Sequence, residues 1–413
     1  MNPFIKSASW LGTAELFNRV MRLGTTVIVS RALSLEDYGL SAIVLVVAEI
    51  AAVLSIRTGI GSKLVQAPEK DLEQLCRSAY GLNWIIAIAI FMLQLVAAFL
   101  IANLYHEPRL IAPICALAFT TLILPTYIIQ SALVYRENRF QVLALCNIGQ
   151  PFFGNLAAIV MAQMGYGLWA FVVPGIVATP IWWFIIRRSQ SWRFRGKVSF
   201  DRWSEILTFA KNLMGIEFLG KIRANVDYLL IGQVLGMEAL GIYYFAFNAG
   251  LGISMSLIQS LMQPLYSHLC ECQGDPTAIR SLYFSSLRSI GAIMVPFILL
   301  QTCLAPWYVP IVFGQKWIGA IPVVMLICLS ALPRAFADSA SSLLQSIDRG
   351  KVDMYWNLIF TLIFSLALCV SVKSGIMSVA ITVLVVNCIS IPFFLRWVHR
   401  LDILSSPPTE VCS

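Results

Sequence analysis

Three charged side chains, Glu15, Arg19 and Arg22, fall inside one long apolar stretch near the start of the chain. A charge near the centre of a bilayer costs about 2.5–3.5 kcal/mol on insertion scales. At about 100° per residue, a helix places the three within roughly 60° of one another. Asn18 flanks this stripe, and Leu11, Val20, Val27 and Val29 supply other faces. One glutamate cannot neutralise two arginines, so a net positive charge is left, which water or an anionic ligand must meet. A guanidinium is a planar fork that makes two parallel hydrogen bonds to phosphate. Arg19 and Arg22 are therefore predicted to line a water-filled cavity and hold an anion, with a phosphate or pyrophosphate group as the best fit.

The pattern returns later in the chain. Glu217 and Lys221 stand four apart, extended by Tyr228, and Arg223 and Asp227 form a second such pair on another face. Arg334 and Asp338 repeat the spacing. Such pairs either lock helices together or face a ligand path. Lys221 and Arg223 join Arg19 and Arg22 as predicted substrate-binding residues. Glu15, Glu49, Glu217 and Asp227 are carboxylates placed to couple transport to protons or sodium. Lys211 and Arg288 read as side chains that snorkel to an interface. No HExxH, Asp-rich metal motif or catalytic triad accompanies these charges. His106, His268 and His399 lie at the edges of apolar runs. An enzyme, a metal site and a cofactor are accordingly not expected, and Cys270 and Cys272 read as ordinary residues without a disulfide. Gln130, Asn147, Gln150, Asn155, Asn248, Asn357 and Asn387 are predicted to make interhelical hydrogen bonds, and Pro125, Pro151, Pro264, Pro322 and Pro333 to kink helices.

The elements that must carry these residues follow from composition. Of the 413 residues 59% are hydrophobic and 12% charged, against about 25% charged in soluble domains. The apolar runs are roughly 20 residues long, too long for barrel strands. The fold class is an all-α membrane protein of about 12 transmembrane helices. Spans are predicted near 8–32, 38–56, 80–104, 110–134, 141–162, 167–186, 206–232, 239–268, 283–303, 318–344, 355–372 and 376–396. The longest polar stretches are 57–79 and 187–205. The N-terminal segment does not read as a cleavable signal, because Glu15, Arg19 and Arg22 interrupt its apolar run.

Basic residues set the orientation. Alternate loops carry Arg57, Lys63, Lys70 and Arg77, then Arg136 and Arg139, then Arg187, Arg188, Arg193, Arg195, Lys197 and Arg202. Arg280, Arg349, Lys351, Arg396 and Arg400 continue the series, with Lys6 at the start. The opposite side holds Arg31, Arg109, Lys316 and Lys373. Both termini are predicted to be cytoplasmic. The net charge of +8 is then a topology signal against anionic membrane lipids, and no nucleic-acid partner is expected.

Residues 28–41, IVSRALSLEDYGLS, align with 230–243, LIGQVLGMEALGIY, at an offset of 202. Leu33 meets Leu235, Glu36 meets Glu238 and Gly39 meets Gly241; further back, Glu15 meets Glu217 and Arg19 meets Lys221. Pro113 and Pro125 correspond to Pro322 and Pro333 at slightly larger offsets. Six spans return the chain to its starting side, so the halves are predicted to be parallel, pseudo-symmetric six-helix lobes around a central cavity. That arrangement belongs to transporters that alternate access. The expected division is a lobe over 1–190, a cytoplasmic linker over 191–205, a second lobe over 206–398 and a cytoplasmic tail over 399–413.

Three stretches resemble Wzx-type O-antigen and polysaccharide flippases of the multidrug/oligosaccharidyl-lipid/polysaccharide exporter superfamily. They are TTVIVSRALSLEDYGLS at 25–41, VFGQKWIGAIPVVMLICLSALPRAF at 312–336 and SSLLQSIDRGK at 341–351. The resemblance implies a V-shaped, two-lobed bundle in a bacterial inner membrane. It implies passage of undecaprenyl-pyrophosphate-linked oligosaccharide between leaflets, with a polysaccharide polymerase and a chain-length regulator as partners. Arg19, Arg22, Lys221 and Arg223 match the cationic cavity this implies by residue type and helix. Two alternatives stand beside it. A multidrug cation antiporter of the same superfamily would favour acidic cavity residues without compensating arginines. A membrane polysaccharide polymerase would need a long periplasmic loop, which this chain lacks.

Overall fold

A computed structural model describes residues 3–194, 199–272 and 275–400. The side chains of residues 3–16 lie outside the described set, and with them those of Lys6 and Glu15. So do Arg195, Lys197, the side chain of His399 and the tail beyond residue 400. The described residues are helical throughout, joined by short turns, with no strand among them.

The first helices are α1 (Pro3–Ala32), α2 (Leu35–Leu54), α3 (Arg57–Gln66) and α4 (Glu69–Tyr105). Then come α5 (Ile111–Ile123), α6 (Ile128–Arg136), α7 (Phe140–Gln163) and α8 (Trp169–Ser189). The later helices begin with α9 (Trp203–Leu235), α10 (Met237–Ala246), α11 (Gly252–Glu271) and α12 (Pro276–Tyr308). They end with α13 (Ile321–Ser346), α14 (Gly350–Ser371) and α15 (Ile376–His399). Among the described residues nine helical segments are long and apolar enough to cross a membrane. The helices α1 and α9 are long enough as well, but they carry the embedded charges.

Local chemistry fixes the turns. Ser34 caps α2: its Oγ accepts the Asp37 N–H at 3.0 Å and donates to Asp37 Oδ2 at 2.7 Å. That cap ends α1 and starts α2 within two residues. Asp37 also reaches the turn before α8, where Gly167 has a φ of +52° and a Cβ would stand 2.9 Å from Asp37 Oδ1. Arg109, in the turn before α5, binds both Glu36 and Glu107.

Three expectations are corrected. The polar stretch 57–79 is not a connection but helix: α3 occupies its first part and the start of α4 most of the rest. With 37 residues, α4 is about 55 Å long, well beyond a hydrocarbon core of about 30 Å, so its polar first turns lie outside the core. The span near 110–134 is broken by a tight turn at Leu124–Thr126, built on Pro125. Pro322 sits in the first turn of α13, where the missing N–H has no helical partner to lose and causes no kink.

The chain forms two compact units, Met1–Asn225 and Val226–Ser413. In the first, α7 packs on α8 and on α1, α4 on α5, and α3 on α6. A buried apolar cluster joins Ile60, Leu64, Leu75, Ala79, Ile129 and Leu133 to Ile206 and Ala210 of α9. Gly59 allows this approach, since a Cβ there would fall 2.5 Å from the Ala210 Cβ. Polar ties fasten the segment before α9. Arg202 pairs with Asp71 at 2.9 Å and Lys63 with Glu205 at 2.8 Å. Trp192 Nε1 donates to Glu73 Oε2 at 3.0 Å, and the Phe194 ring stacks on Tyr80 at 4.6 Å between centroids. Lys63 and Arg202 hold the Glu205 carboxyl below the usual carboxylate range. In the second unit α13 is the hub, packed by α10, α11, α12, α14 and α15.

Candidate functional site

The cationic stripe of α1 packs against α7 at its internal proline. Pro151 lies inside α7 and has no N–H, so the carbonyl four residues earlier, on Asn147, loses its helical donor. Asn18 of α1 supplies the replacement: its Nδ2 donates to Asn147 O at 2.7 Å. The freed carbonyl thus gives α1 a polar tie to α7 at the proline. The next side chains along α1, half-buried Arg19 and exposed Arg22, line a cavity of about 450 Å³. Its other walls are Gln150, Pro151, Gly154 and Asn155 of α7 and Pro174, Gly175 and Ala178 of α8. Asn18 Oδ1 is buried there without a hydrogen-bond partner among the described residues. A buried amide oxygen without a donor is costly, so the cavity is suited to water or a ligand donor. Two guanidinium groups and three amides are the polar side chains of a cavity otherwise walled by proline, glycine and alanine.

Lys221 is placed differently. Its Nζ stands 3.0 Å from Glu49 Oε2 of α2, and Asn225 Nδ2 donates to the same oxygen at 3.2 Å. Asn225 also donates to the Lys221 carbonyl at 2.9 Å. A predicted substrate cation and a predicted coupling carboxylate are therefore partners of each other. With both side chains nearly half exposed, the pair is worth about 0–1 kcal/mol.

Arg223 and Glu217 are half-buried on α9. Asp227 departs from the within-helix pairing with Arg223. Its carboxylate is buried and accepts from Tyr243 Oη of α10 at 2.8 Å and from the Tyr228 N–H at 2.9 Å. The Tyr228 ring stands edge-on to Tyr243, Tyr244 and Phe247. Arg334 of α13 lies over Phe247, 5.8 Å from the ring centre. Hydroxyl and backbone donors of α9 and α10 take the place expected of a basic partner.

Several polar features were not legible from spacing. A second cavity of about 780 Å³ opens between α3, α6, α7 and α8, and Gln150 lines both it and the cationic chamber. It includes Arg57, which by sequence reads only as an orienting loop charge. In the second unit Asp353 of α14 is buried and accepts from Ser341 at 2.7 Å, Gln345 at 3.2 Å and Asn357 at 3.1 Å. The motif SSLLQS contains two of those donors, at an i, i+4 spacing that could have pointed to a shared acceptor. Among the described residues no cluster of His, Cys, Asp and Glu is arranged to hold a metal ion.

Residues 28–322 match the model of a family described as polysaccharide biosynthesis protein. The chain is 24% identical over 396 residues to the lipopolysaccharide biosynthesis protein WzxC of Escherichia coli (strain K12), covering 94% of this chain and 79% of that protein. The fold is that of a solved lipid II flippase, MurJ, in an inward closed conformation: TM-score 0.78, 13% identity, 94% of this chain and 87% of the other. It is also that of an inward-facing multidrug resistance transporter of the MATE family and MOP superfamily, with TM-score 0.74, 13% identity and 92% and 94% covered. The chain thus shares the fold of these two proteins and is a multi-pass membrane protein, helical throughout its described residues.

Proposed function

Since the chain belongs to the polysaccharide biosynthesis protein family, we propose that it is a flippase for undecaprenyl-pyrophosphate-linked oligosaccharide repeat units. The cargo is an O-antigen, capsule or exopolysaccharide unit, carried across the bacterial inner membrane by alternating access. The observation that carries this reading is the chamber holding Arg19 and Arg22 beside the unpartnered Asn18 oxygen. A pyrophosphate is the ligand whose charge and geometry match two planar cations in a low-dielectric site. The names of the similar proteins, a lipopolysaccharide biosynthesis protein and a lipid II flippase, support the same cargo class. The activity is transport and not catalysis.

In this reading residues 1–190 and 206–398 are the transporting lobes, 191–205 the linker and 399–413 the tail. The basic loops face the cytoplasm, and both termini lie there. Lys221 and Arg223 extend the cationic path, with Lys221 released from Glu49 when an anion arrives. Glu15, Glu49, Glu217 and Asp227 are the carboxylates available for proton or sodium coupling. A polysaccharide polymerase and a chain-length regulator are the expected partners downstream. A multidrug cation antiporter shares the fold, but paired arginines in the chamber repel its substrates.

The test replaces Arg19 and Arg22 together by alanine in a strain that depends on this chain for surface polysaccharide. Polysaccharide is expected to disappear while the protein stays in the membrane fraction at normal level. Normal polysaccharide in that double variant would remove the site from consideration.

A further inference from the structure

We propose that the groove between α3, α6 and α8 binds the sugar ring or rings next to the pyrophosphate, using Tyr127, Tyr135, Trp182, Gln66, Gln150 and Arg57. This rests on the flippase reading and adds to it a separate saccharide subsite.

The groove exists because two spans break at the same level of the first unit. Between α2 and α3, Ile56 adopts a φ of +46°. That conformation is unfavourable for a β-branched side chain, and it is held by burial of Ile56 in the apolar cluster shared with Ile60, Ile128 and Ile206. Between α5 and α6 the Pro125 turn ends one helix, and Tyr127 opens the next. The two displaced segments, α3 and α6, pack on each other. Beside them is left a space of about 780 Å³, within the range of about 300–1,000 Å³ common for small-molecule sites.

The lining has the chemistry of a polyol site. Rings of Tyr127, Tyr135 and Trp182 offer flat apolar faces with polar handles. Those faces suit the C–H side of a pyranose. The amides of Gln66 and Gln150 and the hydroxyls of Thr58, Ser62 and Ser131 supply both donors and acceptors, as ring hydroxyls demand. Trp182 is held in place, since its Nε1 donates to Ser131 Oγ at 3.1 Å. A polyprenyl tail would leave these amides and hydroxyls without partners, at a cost. Arg57 is one cation at the rim, where the neighbouring chamber has two. The groove therefore suits a neutral ring better than a second pyrophosphate. Gln150 lines both cavities, so an anion on Arg19 and Arg22 and a sugar in the groove belong to one continuous ligand.

The experiment uses the full chain in lipid nanodiscs and two probes: undecaprenyl pyrophosphate, and the same lipid bearing a single hexose. Affinities are read by native mass spectrometry. The wild-type chain is expected to bind the hexose-bearing lipid about five- to tenfold tighter than the sugar-free one. The double variant Tyr135→Ala/Gln66→Ala, both exposed positions, is expected to lower that preference below about twofold and to leave sugar-free binding unchanged. Arg19→Ala/Arg22→Ala is expected to weaken both lipids and keep the preference. A wild-type chain that binds both lipids equally, or a preference that survives Tyr135→Ala/Gln66→Ala, overturns the subsite and leaves the flippase reading standing. A wild-type chain that binds neither lipid overturns both.

Discussion

The first unit breaks two of its spans where the second unit carries the corresponding spans through. The second span stops at Leu54 and restarts at Arg57 through left-handed Ile56. Its counterpart, α10 with α11, continues through a π-turn at Phe247–Leu251. The fourth span breaks on Pro125, whereas Pro333 lies inside an uninterrupted α13. Two related stretches with matched prolines thus end differently. The reason is packing. As the hub of its unit, α13 is flanked by five helices, and Cys328, Ser330 and Ala331 beside the proline are fully buried, so it runs on through close packing. The broken spans of the first unit instead border the cavity of about 780 Å³, which shares Gln150 with the chamber between α1, α7 and α8. Stretches that align in sequence at an offset of 202 thus differ in their local interruptions, and those of the first unit border a cavity.

The chamber of the first unit can be tested at Pro151 of α7. Pro151→Ala returns an N–H to the Asn147 carbonyl and displaces the Asn18 amide, leaving a buried donor that costs about 1–3 kcal/mol. Transport of lipid-linked oligosaccharide is expected to fall by about tenfold, while the thermal midpoint of the purified protein holds or rises because α7 is repaired. Wild-type transport in both Pro151→Ala and Asn18→Ala would show that this contact does not place the arginines.

A smaller effect is expected in the second unit, where the polar group is sealed. Tyr243→Phe removes the hydroxyl that serves Asp227 and should destabilise the protein by about 1–3 kcal/mol, read as a lower unfolding temperature in detergent. An unchanged midpoint would mean that water replaces the hydroxyl. The smallest effect belongs to the exposed pair. A double-mutant cycle on Glu49→Ala and Lys221→Ala should give a stability coupling of at most about 1 kcal/mol. A coupling of several kcal/mol would recast that pair as a lock between α2 and α9.

The sequence by itself determined the solvent, the helical class, the order of the elements and the charge on α1. These rest on properties of one segment at a time: apolar length, a 3.6-residue period and the imbalance of Glu15 against Arg19 and Arg22. Only the tertiary structure decided who meets whom. Lys221 faces Glu49 rather than open space, Asp227 turns to Tyr243 rather than Arg223, and Arg57 lines a groove in addition to marking a side. Spacing within a helix states which residues share a face, but a partner on another helix depends on where that helix bends and crosses. Pro151 and Gln150 were both visible as a kink and an amide. Their joint role, freeing a carbonyl for Asn18 and lining two cavities at once, arises only when α1, α7 and α8 are packed together.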